Sequence, residues 1–365
     1  MFAPDEKAGG ATLIPMAGYD AVLLLSFGGP EGPDDVVPFL ENVTAGRGIP
    51  RERLVEVGAH YTHFGGVSPI NEQCRRIQQE LAEELRERGR DLPVYWGNRN
   101  WHPFLTATLR DAMAHGHKRL LAVVTSAYSS YSACRQYLDD IEQARAEIGD
   151  GAPTVDKVRA FYNHPGFIES FVDGTNQAID TLGADANPTI LFTAHSIPNS
   201  MAASSDYQTQ LVEAARLVTE RLSPAGQDRP RPWRLCWQSR SGPPTVPWLE
   251  PDVNDEIRTL ADSGGEHAVI VPIGFVSDHI EVLWDLDVEA AATATEAGVT
   301  LARSSTPGTL PDPGFIEMLA ELIEERLDDS PLSTRRALGS LTIRPDRCAV
   351  DCCPAPSRPS TTGRA

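Results

Sequence analysis

Asp278, Glu281, Asp285 and Glu289 recur at helical spacing directly behind the apolar run AVIVPIG of residues 268–274, and His279 sits among them. On an α-helix these carboxylates would share one face. Like charges so placed repel by a few tenths of a kcal/mol per pair, so the face needs either open water or a cation. An imidazole beside them is a good ligand for borderline divalent metals. Taken alone, the stretch fits a solvated acidic face as well as a metal site. A second candidate is His195, which closes the apolar run TILFTAH of residues 189–195. A lone histidine at a strand end is usually an ordinary hydrogen-bonded one, but an acidic helix opposite makes it a candidate ligand or base. The third feature is a cysteine cluster: Cys348, Cys352 and Cys353 crowd the last 18 residues, CAVDCCPAPSRPSTTGRA. Exposed clustered thiols oxidise readily, which favours metal or cluster ligation over free thiols. Three ligands leave one position open, and Cys134, just after the third apolar run, is the most accessible remaining donor.

The elements that must position these groups are legible in the patterning. Continuous apolar runs at 21–27, 92–98, 120–126, 189–195, 233–239 and 268–274 alternate with amphipathic stretches such as INEQCRRIQQELAEELRERG and SDYQTQLVEAARLVTERLS. Buried parallel strands look like this, so the fold class is α/β with helices on both sheet faces, in two units joined near residues 182–188. In such sheets ligands gather at the carboxyl ends of the strands. Those ends read Ser26–Pro30, Arg99–His102, Tyr128–Tyr131, His195–Pro198, Gln238–Gly242 and Phe275–His279, an aromatic and polar rim. The boundaries expected are a tail at 1–17, lobes at 18–183 and 184–335, and a cysteine-containing tail at 336–365.

Composition narrows the function. The chain has 365 residues, 41% of them hydrophobic, and 32 basic against 51 acidic side chains give a net charge of −19. That charge argues against nucleic acid or an anionic membrane as the main partner, and an anionic substrate would need a local basic patch. No apolar run reaches the roughly 18 residues needed to cross a bilayer, and MFAPDEKAGG lacks a signal peptide's features, so a cytoplasmic protein is expected. Neither GxGxxG, GxxxxGK[ST], GxSxG nor HExxH occurs, which disfavours nucleotide, serine-hydrolase and zinc-protease chemistry.

Longer motifs then resemble one family over residues 19–325. AHSIP (194–198), WQSRSGPPTVPWL (237–249) and GFVSDHIEVLWDLD (274–287), supported by SFGGPEGPDDVVPFL (26–40) and GGVSPINEQ (65–73), are similar to the ferrochelatases. The resemblance implies two Rossmann-like lobes with a porphyrin cleft between them, and insertion of Fe²⁺ into the macrocycle. It assigns His195 and Glu281 to catalysis and His195, Glu281 and Asp285 to the metal, with Asp285 and then Glu289 as a path for the ion or protons. Phe27, Trp101, Tyr128 and Trp248 become flat cleft walls. Arg47, Ser68 and Tyr137 resemble propionate contacts, with Arg51 weaker. Some members carry a tyrosine at the position of Phe27, so an axial role there is absent.

The tail resembles that of members with a 2Fe-2S cluster, implying Cys134, Cys348, Cys352 and Cys353 as its ligands. The YSSYSACRQY segment, the actinobacterial-looking tail and the lack of a membrane-binding lip resemble the branch that uses coproporphyrin III, giving Fe-coproporphyrin III for a downstream haem-pathway enzyme. Protoporphyrin IX is the runner-up substrate. Other readings are a cobalt or nickel chelatase, a porphyrin carrier and an iron–sulfur sensor. Intact proton acceptors weigh against the carrier.

Overall fold

The computed structural model describes residues 18–184, 186–222, 231–242, 245–309, 312–349 and 351–355; the tails expected at 1–17 and beyond 355 lie outside them. Two four-stranded sheets form, each wholly parallel. The first takes β1 (Ala21–Ser26), β2 (Val94–Asn98), β3 (Arg119–Val124) and β4 (Thr154–Lys157) in the order β2-β1-β3-β4. The second takes β5 (Thr189–His195), β6 (Trp233–Gln238), β7 (His267–Val271) and β8 (Thr300–Arg303) in the order β6-β5-β7-β8. The interior strands β1, β3, β5 and β7 are buried along almost their whole length, as strands covered by helices on both faces must be.

In each sheet the strand order reverses between the two interior strands, β1 and β3 in one and β5 and β7 in the other. Such a switch point opens a crevice at the carboxyl ends, where the diverging connections leave room for a ligand. His195 ends β5, and the segment leading to Glu281 follows β7. The crevice of the second lobe is thus where the candidate chemistry sits.

Sequence order divides the strands near residue 184 but not the helices. Helix Pro165–Thr181 packs on helix Tyr207–Leu222 and on β7 and β8, whereas helix Pro313–Leu327 returns to helix Ile70–Glu87 and β3. The largest hydrophobic core draws on both lobes, Val22 and Leu24 with Ile190 and Phe192. Polar bonds cross the same seam: Tyr128 Oη donates to the Ile273 carbonyl at 2.9 Å, and Ser129 and Gln210 exchange bonds of 2.8 and 2.9 Å. Among the described residues no helix is long and apolar enough to cross a membrane.

The tail docks across both lobes. Arg335 forks onto Asp346 at 2.6 and 2.8 Å, Arg347 reaches Asp156 after β4 begins, and Glu213 on helix Tyr207–Leu222 accepts from the Ser340 amide at 2.9 Å. A segment too polar to fold alone is pinned by charge-assisted bonds to a preformed surface.

Candidate active site

His195 is set by backbone as much as by its own ring. The Ser196 amide donates to the Gln238 carbonyl at 2.8 Å and the Ser196 hydroxyl to the Leu249 carbonyl at 2.8 Å, so the Ser196 carbonyl is fixed. His195 Nδ1 lies 2.5 Å from that carbonyl, a bond only a protonated Nδ1 can make. The neutral ring therefore leaves its lone pair on Nε2. Tyr207 Oη donates to the His195 carbonyl at 3.1 Å and holds the strand end from beneath.

Glu281 is delivered from the other side of the switch point. The loop after β7 crosses tightly over β5: the Gly274 amide donates to the Thr193 carbonyl at 3.0 Å, and a Cβ at Gly274 would stand 2.5 Å from the Ala194 Cβ. This close approach brings Glu281 Oε2 to 3.9 Å from His195 Nε2. The gap is too wide for a hydrogen bond. An ion bonded to both donors at about 2.1 Å would span it only at an open angle, wider than tetrahedral.

The acidic helix differs from the even α-helix that the spacing predicts. After one turn, Ile280–Val282, it is wound with i→i+5 bonds over Leu283–Ala290 before Ala291–Ala297 resumes the α form. Windings of this kind concentrate at functional sites. Glu281, Asp285 and Glu289 remain neighbours, and the fourth carboxylate does not join them. Asp278 lies before the helix, buried, and accepts from Arg303 Nη2 at 3.0 Å. A buried carboxylate needs a partner, and Arg303 supplies it.

Asp285 is held by the end of β6: the Ser239 hydroxyl donates to Oδ2, and Gln238 Nε2 donates to the same oxygen at 3.3 Å. Burial pushes its carboxyl up to about 7; the Ser239 bond opposes this, while the Glu281 and Glu289 charges add to it. Burial also holds His279 below the usual imidazole range, with Glu281 pulling the other way. Among the described residues no three His, Cys, Asp or Glu side chains are arranged to hold a metal ion. Asp285 thus stands behind the His195–Glu281 pair rather than completing a three-donor set with it.

The other wall is built by residues 36–63. Phe39, Leu40, Leu54 and Tyr61 form a cluster with Ile280, and Trp101 and Leu283 pack against it. His60 stacks on Trp284 at 4.0 Å, and Trp284 Nε1 donates to Glu289 Oε1 at 2.7 Å. Phe27, 37% exposed, offers its ring edge-on to Phe39 at 6.2 Å. It is presented by Gly28, whose φ of +84° and Cβ position 2.9 Å from the Asn98 Cβ admit only glycine.

The other residues expected to line a cleft are placed unequally. Trp101 is half-buried beside Phe39. Tyr128 is a correction: at 2% exposure it lies between the lobes, where its aromatic body is worth more in the core than on a wall. Ser68 sits buried against Gly29, and Tyr137 is buried under Arg99, whose guanidinium lies 4.6 Å from its ring. Arg47 is exposed in the turn after helix Val36–Val43 and has no acidic partner among the described residues, whereas Arg51 is occupied by Glu41. Trp248 packs over Gly242. Gln238 and Tyr207 were not singled out as holding the site; only the strand-end rule pointed near Gln238.

The tail cysteines lie in one region. Cys352 and Cys353 Sγ are 3.6 Å apart. Burial, then Cys352 and Cys134, push the Cys353 thiol up to about 12, and burial and Cys352 also raise that of Cys348.

A family model for ferrochelatase matches residues 19–327. The chain is 53% identical to a ferrochelatase of Rhodopirellula baltica over 94% of this chain and 96% of that protein. It is 49% identical to a coproporphyrin III ferrochelatase of Streptomyces coelicolor with the same two coverages. The fold is also similar to the solved structure of SirB from Bacillus subtilis with Fe³⁺, at a TM-score of 0.51 and 12% identity, covering 85% of this chain and 96% of that one. With a family model spanning most of its length and relatives near half identity, the chain belongs to the ferrochelatase family.

Proposed function

We propose that the chain inserts Fe²⁺ into coproporphyrin III, releasing the two pyrrole protons, within haem biosynthesis. The observation that carries this is the 3.9 Å pair of His195 Nε2 and Glu281 Oε2, with the histidine lone pair directed by the Ser196 carbonyl. An imidazole lone pair and a carboxylate can take the ion from water and then accept protons as the metal–nitrogen bonds form. Asp285, poised to change protonation near neutrality, is suited to pass those protons on toward exposed Glu289. Coproporphyrin as the macrocycle rests on the Streptomyces relative; Arg47, without an acidic partner among the described residues, is a donor suited to a propionate of either porphyrin. Cytoplasmic location and transfer of product to a later haem-pathway enzyme belong to the same reading, on the family resemblance.

The reading extends to a 2Fe-2S cluster held by Cys134, Cys348, Cys352 and Cys353. Three observations support the donor set. The 3.6 Å between Cys352 and Cys353 Sγ is near the roughly 3.8 Å expected of two sulfurs on one tetrahedral metal. Cys353 holds a φ of +51°, a strained state for a non-glycine residue. Arg344 Nη2 donates to Cys352 Sγ at 3.7 Å, and its buried Nε has no hydrogen-bond partner among the described residues. Because the four do not stand as a ready metal site, binding would close the tail around the cluster. Such a cluster supplies one-electron chemistry and a cross-link between the tail and the segment after β3.

The test is anaerobic metalation of the purified protein with Fe²⁺ and, separately, coproporphyrin III and protoporphyrin IX. Faster turnover of coproporphyrin is expected; faster turnover of protoporphyrin would reverse the substrate, and binding without metalation would overturn the enzyme.

A further inference from the structure

The i→i+5 winding of Leu283–Ala290 makes a contact that an α-helix would not. Residues five apart point about 140° away from each other around an α-helix, whereas i→i+5 bonding brings them to nearly the same side. Trp284 and Glu289 are such a pair, and Trp284 Nε1 donates to Glu289 Oε1 at 2.7 Å. The indole is itself held from helix Arg51–His63. His60 lies parallel to it, with 7° between the planes and 4.0 Å between the rings, and His63 meets it edge-on at 5.5 Å. Burial holds the His60 imidazole below its usual range and the charge of Glu289 opposes this, so carboxylate, indole and imidazole form one cluster. Glu289 is exposed, and among the described residues its Oε2 has no hydrogen bond.

We propose that Trp284 is a positioning residue for Fe²⁺ uptake: its indole fixes Glu289 at the solvent end of the acidic face, and His60 clamps the indole. The inference rests on the reading of His195 and Glu281 as the metalation centre. Glu289 stands two turns beyond Glu281 and faces water, so an aqueous ion approaching that face meets it early. A free glutamate loses rotamer freedom on taking a ligand, whereas one already held by Oε1 loses less and presents Oε2. An indole suits this task because it donates one hydrogen bond and carries no charge. A lysine or arginine in its place would cancel the field that draws the ion. The parallel imidazole keeps the indole from rotating away, so a helix on one wall of the cleft sets the carboxylate on the other.

The test is steady-state anaerobic metalation, varying Fe²⁺ at saturating coproporphyrin III and then the reverse. Wild type is compared with Trp284→Phe, His60→Ala, His60→Phe, Glu289→Gln and the double variant Trp284→Phe/Glu289→Gln. Trp284→Phe keeps a ring against His60 and loses only the N–H. Its KM for Fe²⁺ should rise about fivefold, the worth of one typical hydrogen bond, while kcat and the porphyrin KM hold. His60→Ala should raise the same KM by less, and His60→Phe, which restores a flat ring, should bring it back toward wild type. Glu289→Gln should raise it at least as much as Trp284→Phe, and the double variant no further than Glu289→Gln alone. An unchanged iron KM in Trp284→Phe overturns the role of Trp284. So does a double variant in which the two rises multiply, because the indole would then not act through Glu289. An equal loss of kcat or of porphyrin binding also overturns it, since a loosened helix would act on all three. If Trp284→Phe does not fold, the contrast between His60→Ala and His60→Phe decides alone, and equal iron KM values overturn the clamp. A wild type that binds coproporphyrin without metalating it overturns the metalation reading and this inference with it.

Discussion

Replacing Asp285 by asparagine should stabilise the protein, and more so as the pH rises. The carboxyl's ordinary value is 3.8 and the folded environment raises it to about 7, chiefly by burial. A raised folded value means that folding favours the protonated form. Stability from this group is therefore complete below about pH 4 and is lost as the pH climbs toward 7. Each unit is worth 1.36 kcal/mol, so about 4 kcal/mol has gone by pH 8, and about 3 kcal/mol of that between pH 5 and pH 8. Asparagine is nearly isosteric, keeps an acceptor for Ser239 and Gln238, and never ionises. At about 2.1 cal/mol/K per residue over 365 residues, 3 kcal/mol corresponds to roughly 4 °C in Tm. The assay is a pair of thermal melts, wild type and Asp285→Asn, at pH 5 and pH 8 without iron or porphyrin. The variant's advantage should grow by about 4 °C between the two. An advantage that is the same at both pH values, or a variant less stable at pH 8, would refute the idea that Asp285 is held out of water with its charge unpaired.

Other consequences follow from the same packing. Arg159 is 2% exposed and forks onto Glu325 at 2.7 and 2.9 Å, so Arg159→Ala should cost about 3 kcal/mol by leaving that buried carboxylate with only Arg335, 3.7 Å away, seen as a lowered Tm. Replacing both partners by Met and Leu should recover most of it. Gly339 has a φ of +78° and would put a Cβ 1.9 Å from Glu213 Oε1, so Gly339→Ala should loosen the tail and speed its removal by a protease, with the rest of the chain resistant. If the tail cysteines are cross-linked by a cluster, Cys348→Ser should lower the Tm of protein purified without oxygen, because metal binding is coupled to folding; identical melts would refute that cross-link.

Much of this architecture is legible in the residues. The six continuous apolar runs became six strands: the interior β1, β3, β5 and β7, where a strand buried on both faces has little choice but apolar residues, and the edge strands β2 and β6, which are partly buried and rich in aromatics. β4 (TVDK) and β8 (TLAR), the other two edge strands, escaped because each is only four residues long and carries charge. The strand-end rule placed His195 and the acidic helix at one crevice. It could not place Asp278, because carboxylate spacing alone does not reveal where a helix begins, and the partner that draws Asp278 inward, Arg303, lies 25 residues on. Nor does spacing reveal i→i+5 winding. Tyr128 was misplaced for a related reason: a tyrosine at a strand end is equally suited to a wall or to a core with one acceptor, and the Ile273 carbonyl 145 residues away decides.

The central claim is that His195 and Glu281 together carry out metalation rather than porphyrin binding. It is tested most directly by His195→Ala and Glu281→Gln, each mixed anaerobically with coproporphyrin III, and then with Fe²⁺, while the visible spectrum is followed. The account predicts that both variants bind the porphyrin with near wild-type affinity and that metalation falls by at least about 100-fold in each. Near wild-type turnover in both variants would contradict it, since the 3.9 Å pair would then be a bystander to the reaction.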